Sequence, residues 1–170
     1  MGRRNAENLV SELSSLPPES TPIIFGCAGA LRKEIKAGEV FLISKISVDI
    51  VLKASGTLPE ASLLSSLNIL RTPAEKAAAY EKSRADLVDQ EMEYIWKACS
   101  ESIRQRVVFI RGVIDESEDD ISFLGANGPV WNRLLVPRNF VAFLKFIRNW
   151  RRYLKGMGSA LKKLSDQKLA

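Results

Sequence analysis

Short apolar runs alternate along the chain with longer segments in which apolar residues recur every three or four positions. The short runs lie at 22–25, 40–43, 63–70 and 107–110, and all but the leucine-rich 63–70 are rich in β-branched and aromatic residues. Runs of this kind predict strands, and an uninterrupted one such as 107–110 predicts a strand that is buried on both faces. A very short strand is expected at 85–88, and 46–52 is expected to continue in extended or mixed form.

Helical spacing predicts four helices, at 8–16, about 72–84, 91–100 and about 137–165. Thr72, Pro73 and Glu75 form the sequence of a capping box at the start of the second helix. Alternation of strands and helices predicts an α/β protein. We expect a central mixed β-sheet of about five strands, flanked by helices in three layers. At 170 residues the chain is expected to be one domain, 1–170.

The last predicted helix is amphipathic and basic. From Val130 onward ten Lys and Arg residues stand against one acid, Asp166. Gly156 and Gly158 are expected to weaken or break this helix. A solvated basic face is the more common arrangement, and a peripheral membrane contact is the alternative. No nucleic-acid partner is predicted, because these basic residues belong to no nucleic-acid-binding motif.

The rest of the composition limits the kinds of site and catalytic group that the chain can provide. The chain has no histidine, so a zinc site of the usual kind is not expected, and proton transfer falls to carboxylates, lysine, tyrosine or cysteine. Cys27 and Cys99 are too few for a disulfide framework, which indicates a reducing, cytoplasmic setting. No signal peptide is recognisable, and no apolar run approaches the ~20 residues of a membrane span.

Two carboxylates are the candidate catalytic groups. Asp115 follows the buried strand, at the sheet edge where ligands bind in open α/β sheets, and Glu91 begins a helix that could return to that edge. The small residues 26–29 follow another strand, where they form either a tight turn or an anion-binding backbone, the turn being the more common. The acidic run 116–120 and the Gly-Asn-Gly-Pro segment around 125–129 are expected to be loops, the acidic one solvated.

Several of these segments resemble motifs of the nucleoside phosphorylase and nucleosidase superfamily. The glycine motif and following strand of that family resemble Gly26-Cys27-Ala28-Gly29-Ala30-Leu31 and Ile35-Lys36-Ala37-Gly38-Glu39-Val40. Its acidic ribose motif resembles Val88-Asp89-Gln90-Glu91, and its strand leading to the catalytic Asp resembles Val108-Phe109-Ile110-Arg111-Gly112-Val113-Ile114-Asp115. Two further segments resemble the hopanoid-associated phosphorylase branch of that family most: Leu63-Leu64-Ser65-Ser66 and Arg71-Thr72-Pro73-Ala74-Glu75-Lys76.

The resemblance implies a purine nucleoside as the substrate and a division of roles. Glu91 would hold the ribose hydroxyls, and Asp115 would be the general acid toward purine nitrogen 7. Phosphate or attacking water would be held by the segment Gly26, Cys27, Ala28, Gly29 together with Arg111. No metal and no cofactor is implied, with phosphate as a co-substrate if the reaction is phosphorolysis.

The sequence also departs from the family pattern. Cys27 replaces a Ser or Thr, Ile114 replaces a Ser, and Gln90 replaces a Met. The family's leading strands have no counterpart before residue 22, so a truncated fold with an exposed sheet edge is expected, and with it a homo-oligomer. In an alternative register Glu93, and not Glu91, is the ribose ligand.

Two functions stay open from the sequence. One is an enzyme that cleaves the N-glycosidic bond of an adenosine-type nucleoside by phosphorolysis or hydrolysis, with hopanoid side-chain synthesis as a specific role. The other is a catalytically degenerate scaffold that binds a nucleoside or a protein.

Overall fold

The computed structural model describes residues 3–47, 50–52, 57–124 and 135–167. The helices are α1 (Arg3–Ser14), α2 (Pro73–Ser83), α3 (Met92–Ala98), α4 (Glu101–Arg104) and α5 (Pro137–Gln167). The strands are β1 (Ile23–Ala30), β2 (Val40–Ile46), β3 (Ile50–Val51), β4 (Glu60–Ser65), β5 (Leu87–Asp89) and β6 (Val108–Asp115). A 3₁₀ turn covers Ser122–Leu124.

The described strands form a mixed sheet in which all but β3 close into a ring. Their order is β3-β2-β4-β5-β1-β6, and β6 pairs in addition with β2. The neighbours β1 and β6, β2 and β4, and β4 and β5 run parallel, whereas β1 with β5 and β2 with β6 run antiparallel. The expectation of a sheet edge exposed by missing strands is therefore wrong for the five strands of the ring, whereas β3 pairs with β2 alone. A homo-oligomer remains a prediction, but an edge left exposed by missing strands no longer supports it.

Helices cover the ring on several sides, which confirms the predicted α/β class with a central mixed sheet. On one side α1, α3 and α4 enclose the largest apolar cluster, which includes Leu13, Leu63, Met92, Ile103 and Phe109. Elsewhere α5 lies on β2 and β6 through a second cluster that includes Leu42, Ile110, Met157 and Ala160. A third, smaller cluster packs α2 near β5.

The start of α2 is the predicted capping box. The Thr72 hydroxyl accepts from the Glu75 N–H at 3.2 Å, and the Glu75 carboxylate accepts from the Thr72 N–H at 2.9 Å. Both interactions satisfy N–H groups that the first turn of a helix leaves without an intrahelical partner. This fixes the direction in which α2 leaves the 66–72 segment.

The glycine segment is part of a strand and not the tight turn that was the more common expectation. Residues 26–28 continue β1 and pair with Arg111, Gly112 and Val113 of β6. The register then shifts, so that Gly29 pairs with Asp115. A register shift of this kind inserts one residue on one strand and changes where the following side chains point. It brings two consecutive β6 residues, Ile114 and Asp115, to the same pocket.

The expected break in the last helix does not occur. Helix α5 runs without interruption from Pro137 to Gln167, through both Gly156 and Gly158. A Cβ on Gly156 would lie 2.0 Å from the Gly38 carbonyl oxygen, so only glycine lets the helix approach this turn. Close packing of a helix face on the sheet outweighs the ~1 kcal/mol by which glycine disfavours a helix.

Other predicted boundaries also shift. The strand expected at 63–70 is β4, Glu60–Ser65, so 66–70 is not strand.

The acidic run is not a solvated loop throughout, because Ser117 and Asp119 are buried. The Asp119 carboxylate accepts from Asn149 Nδ2 at 2.9 Å and from the Glu116 N–H at 2.8 Å, and it contacts Lys145 Nζ. The predicted Gly-Asn-Gly-Pro loop lies outside the described residues.

Candidate functional site

A pocket of about 520 Å³ opens at the carboxyl ends of β1 and β6. The start of α3, the 68–70 segment and the inner edge of α5 complete its walls. Every residue proposed from the sequence for the site lines it, namely Gly26, Cys27, Ala28, Gly29, Glu91, Arg111 and Asp115. The fold thus brings together segments that are more than 80 residues apart in the chain.

Asp115 is held by a buried lysine. Lys76 Nζ of α2 donates to Asp115 Oδ2 at 2.5 Å, and it also donates to the carbonyl oxygens of Glu116 at 2.7 Å and Asp119 at 3.2 Å. The Lys76 side chain has no exposed surface. Three acceptors therefore satisfy the three donors of this ammonium group.

Burial raises the pKa of Asp115 above its ordinary value, because removing a carboxylate from water penalises the charged form. The positive charge and hydrogen bond of Lys76 act in the opposite direction, and the nearby charge of Asp119 adds to the increase. A carboxyl group with a raised pKa is better suited to donate a proton than an ordinary exposed aspartate.

The two glycines of the β1 segment make room for charged side chains. A Cβ on Gly29 would lie 2.8 Å from Asp115 Oδ2, and a Cβ on Gly26 would lie 2.9 Å from the guanidinium carbon of Arg111. Backbone pairing with β6 engages this segment, so it is not an open run of amides. Its glycines are explained by the space that Arg111 and Asp115 occupy.

Arg111 forms a second buried ion pair beneath the pocket. Its Nε donates to Asp89 Oδ2 at 3.0 Å, and its Nη1 donates to the carbonyl oxygens of Ile110 at 3.2 Å and Ile24 at 3.5 Å. Asp89 Oδ1 in turn accepts from Ser65 Oγ at 3.0 Å and from the Met92 N–H at 3.3 Å. The pair therefore connects β6 to the first turn of α3, which Asp89 caps.

The two glutamates of the alternative registers face different surroundings. Glu91 lines the pocket at the start of α3. Glu93 does not line it, because its carboxylate accepts from Ser47 Oγ at 2.7 Å and from Lys97 Nζ at 2.5 Å. Among these two carboxylates the geometry favours Glu91 as the one that meets a ligand.

Cys27 lines the pocket, and it is exposed to the open cavity. Desolvation by the surrounding protein raises the pKa of its thiol, Arg111 opposes that increase, and Asp115 and Glu91 add smaller contributions to it. A thiol that stays protonated is a poor nucleophile and a weak hydrogen-bonding group. Cys27 is thus suited to bordering a ligand and not to attacking one.

Helix α5 supplies an aromatic wall that the sequence analysis did not assign to the site. Trp150 and Tyr153 line the pocket, and their ring centroids are 5.2 Å apart. Burial raises the pKa of the Tyr153 hydroxyl, with a further increase from Cys27. Gly112 admits the Tyr153 ring, because a Cβ there would lie 2.6 Å from two of its ring carbons.

Lys76 is the other functional residue that sequence reasoning missed. It shares the inward helical face of α2 with Ala79 and Tyr80, and a lysine on such a face needs an acidic or carbonyl partner when it is buried. The position of Lys76 on this face was the signal in the sequence that the lysine could be buried and paired. The partner itself could not be named from the sequence, since Asp115 lies 39 residues further along the chain.

The described residues contain neither a metal-binding cluster nor a membrane-spanning helix. No group of three or more Cys, Asp or Glu side chains among them is placed to hold a metal ion. No helix within the described ranges is both long and apolar enough to cross a bilayer.

No protein-family model and no curated protein matches the sequence. Solved structures do match. CT263 (MTAN) from Chlamydia trachomatis bound to adenine has a TM-score of 0.51 and 17% identity, covering 91% of this chain and 73% of that chain. The 5′-methylthioadenosine/S-adenosyl homocysteine nucleosidase of Campylobacter jejuni has a TM-score of 0.51 and 13% identity, covering 85% and 72%.

A third structure, 5′-methylthioadenosine nucleosidase from Arabidopsis thaliana in apo form, has a TM-score of 0.50 and 16% identity, covering 88% of this chain and 66% of that chain. Sequence identities this low establish likeness of fold and not of activity. The chain therefore shares the fold of these nucleosidases, over less than their full length.

Proposed function

We propose that the protein belongs to the nucleosidase and phosphorylase superfamily and cleaves the N-glycosidic bond of an adenosine-type nucleoside. The observation that carries the proposal is that Glu91 and Asp115 line one pocket, in the fold of nucleosidases that include one solved with adenine. Glycosidic cleavage needs one group that protonates the leaving group and one that holds the sugar, and these two carboxylates supply both.

In the proposed reaction Asp115 donates its proton to nitrogen 7 of the purine. The base then departs with the electron pair of the glycosidic bond as a neutral molecule, and positive charge develops on the ribose. Glu91 accepts hydrogen bonds from the ribose hydroxyls and stabilises that charge. Lys76 stabilises the carboxylate that Asp115 becomes, because its ammonium group is already in hydrogen-bonding contact with Oδ2.

Water is the nucleophile that the surroundings favour. A phosphate co-substrate needs cationic side chains or free backbone amides. Arg111 Nε is engaged by Asp89 and its Nη1 by two carbonyl oxygens, and residues 26–29 run beside β6, which leaves no run of consecutive free amides. We therefore place hydrolysis ahead of phosphorolysis. Water then bonds to the anomeric carbon as the base leaves, and the proton that it releases passes to solvent, from which Asp115 is protonated again.

The finer proposal is a nucleoside with an apolar 5′ substituent, for which adenosylhopane is a test substrate. Leu9, Ile69, Leu124 and Trp150 give the pocket apolar walls beside its carboxylates. The resemblance of 63–66 and 71–76 to the hopanoid-associated branch supports the same choice. Phosphorolysis of this substrate would leave the 1-phosphate of the 5-substituted ribose, and hydrolysis would leave the free 5-substituted ribose.

The test is release of adenine from adenosine, methylthioadenosine and adenosylhopane by the purified protein, with and without phosphate. We expect release that does not require phosphate and that falls about 10²- to 10⁴-fold in Asp115→Asn. Unchanged release in Asp115→Asn would overturn the role of Asp115. Release that requires phosphate would establish phosphorolysis.

A degenerate nucleoside-binding scaffold is the second candidate, and one observation favours it. The Asp115 carboxylate is engaged by a fully buried lysine, which favours its ionised form over the acid that catalysis requires. This candidate predicts no adenine release from any of the three substrates, together with calorimetric binding of adenosine that Glu91→Ala abolishes.

A further inference from the structure

Helix α5 has a second apolar face that nothing in the described structure covers. Its inner face packs on the sheet through buried residues that include Asn149, Met157 and Ala160. The outer face carries five large apolar side chains with exposed fractions between 36% and 54%: Phe140, Leu144, Ile147, Leu154 and Leu161. Their spacing of three, four or seven positions aligns them in one stripe. We call this the outer stripe.

The outer stripe is bordered by positive charge. Leu144 and Ile147 line a shallow hollow of about 480 Å³ together with Arg148, Arg151, Arg152 and Lys155. Lys162 and Lys163 follow within the same helix, and Asp166 is the one acid in its sequence. An apolar stripe beside cationic side chains is the composition of helices that lie in the plane of an anionic membrane surface.

We propose that the outer stripe of α5 docks on an anionic lipid surface. Leucine and phenylalanine side chains enter the boundary between the headgroups and the acyl chains, while the arginine and lysine groups meet lipid phosphates. From Phe140 to Leu161 the stripe extends about 32 Å along the helix axis. Several headgroups can therefore be contacted at once.

The charge beside the stripe also favours an anionic lipid surface over a second copy of the chain as the partner. A two-fold interface places the same patch of both copies together. Pairing of two outer stripes would bring Arg148, Arg151 and Lys155 of one copy close to the same cluster on the other, and like charges that face each other are destabilising. An anionic surface removes that repulsion and compensates the charges.

Docking in this way also positions the nucleoside pocket. Trp150 lies next to the stripe, where it is 40% exposed, and it also lines the pocket wall. A protein lying on its outer stripe would hold the pocket beside the bilayer. The docking proposal does not depend on the enzymatic one, because it is argued from the exposed apolar residues of the stripe and the basic residues beside it, and not from the pocket carboxylates.

The test is flotation of the full-length protein with vesicles of phosphatidylcholine alone and of phosphatidylcholine mixed equally with phosphatidylglycerol. We expect binding to the anionic vesicles that weakens as salt is added and little binding to the neutral ones. The variant Arg148→Glu/Arg151→Glu should lower the partition coefficient roughly thirtyfold or more. The variant Leu144→Ser/Leu154→Ser should lower it roughly tenfold or more.

The control is Lys33→Glu/Lys82→Glu, which makes the same change in net charge at exposed positions outside α5. It should keep most of the binding. Equal loss in this control, equal binding to both vesicle types, or no binding by the unmodified protein would each overturn the proposal. Sedimentation of the same samples provides the last check, because an outer stripe covered by a second copy would give a dimer that Leu144→Ser/Leu154→Ser dissociates, and this result would also overturn the proposal.

Discussion

Lys76 Nζ lies 2.5 Å from Asp115 Oδ2, and both side chains are buried. For a general acid this contact favours the carboxylate that remains after the proton has left. The lysine keeps two backbone carbonyl acceptors, those of Glu116 and Asp119, whatever the protonation state of Asp115. Lys76 thus acts through Asp115, as a residue that positions the acid and strengthens it.

The pH dependence of activity should reveal this role. Lys76→Met removes a positive charge that lowers the pKa of Asp115, so the pKa should rise. Activity that needs protonated Asp115 is lost as pH rises through that pKa, so the alkaline limb of the kcat profile should move to higher pH. A purely structural lysine would reduce activity without moving this limb, and pH–rate profiles of both proteins distinguish the two cases.

The stability of the same variant should also depend on pH. Removing one partner of a buried ion pair typically costs about 3–5 kcal/mol, so Lys76→Met should be strongly destabilised at neutral pH. A carboxyl group whose pKa is higher in the folded state contributes stability below its unfolded pKa and loses it as pH rises through the folded pKa. The destabilisation should therefore shrink in acid, as measured by urea unfolding across this range. Lys82→Met, on the exposed face of α2, is the control and should change little.

Glu91 and Glu93 provide a matched comparison two residues apart. Glu91→Gln should weaken nucleoside binding or turnover roughly 10- to 100-fold, because hydrogen bonds to a charged group are worth about 1.5–3 kcal/mol. Glu93→Gln should leave both nearly unchanged, since that carboxylate is engaged by Ser47 and Lys97 outside the pocket. Calorimetric titration with adenosine measures the difference. A larger effect at Glu93 would support the alternative register.

The two glycines of α5 should respond in opposite directions to alanine. Gly158→Ala should stabilise the protein by about 1 kcal/mol, because nothing lies within 4 Å of the added Cβ and alanine favours the helix. Gly156→Ala should destabilise it by about 1–3 kcal/mol or more, because the new Cβ would meet the Gly38 carbonyl oxygen of the backbone. Thermal unfolding of the two variants tests the pair. Equal shifts would show that α5 does not pack at this distance.

The sequence was informative where the deciding interactions are local. The capping box at Thr72 and Glu75 depends on residues three apart, so its sequence predicted the start of α2 directly. Candidate site residues could be named from their positions at strand ends and from a family resemblance, and the pocket contains all of them.

The sequence could not indicate the structure where contacts between distant segments determine it. Intrinsic propensity at Gly156 favours a helix break, whereas the packing of α5 on the Gly38 turn favours an unbroken helix. The glycines at 26 and 29 are typical of a turn, yet they are in a strand because Arg111 and Asp115 need their space. The Lys76–Asp115 pair joins a helix to a strand end and has no signature in either segment alone.

The closed ring has a consequence for how the chain is made. Ile23 of β1 pairs with Val108 of β6, 85 residues later, and β6 also supplies the closing pair with β2. During synthesis the β1 strand can find this partner only after Asp115 has left the ribosome. Pairings of such long separation are slow to form, and strands that wait for them are exposed to aggregation in the nascent chain. The sheet can therefore fold only after translation has passed Asp115, the candidate general acid.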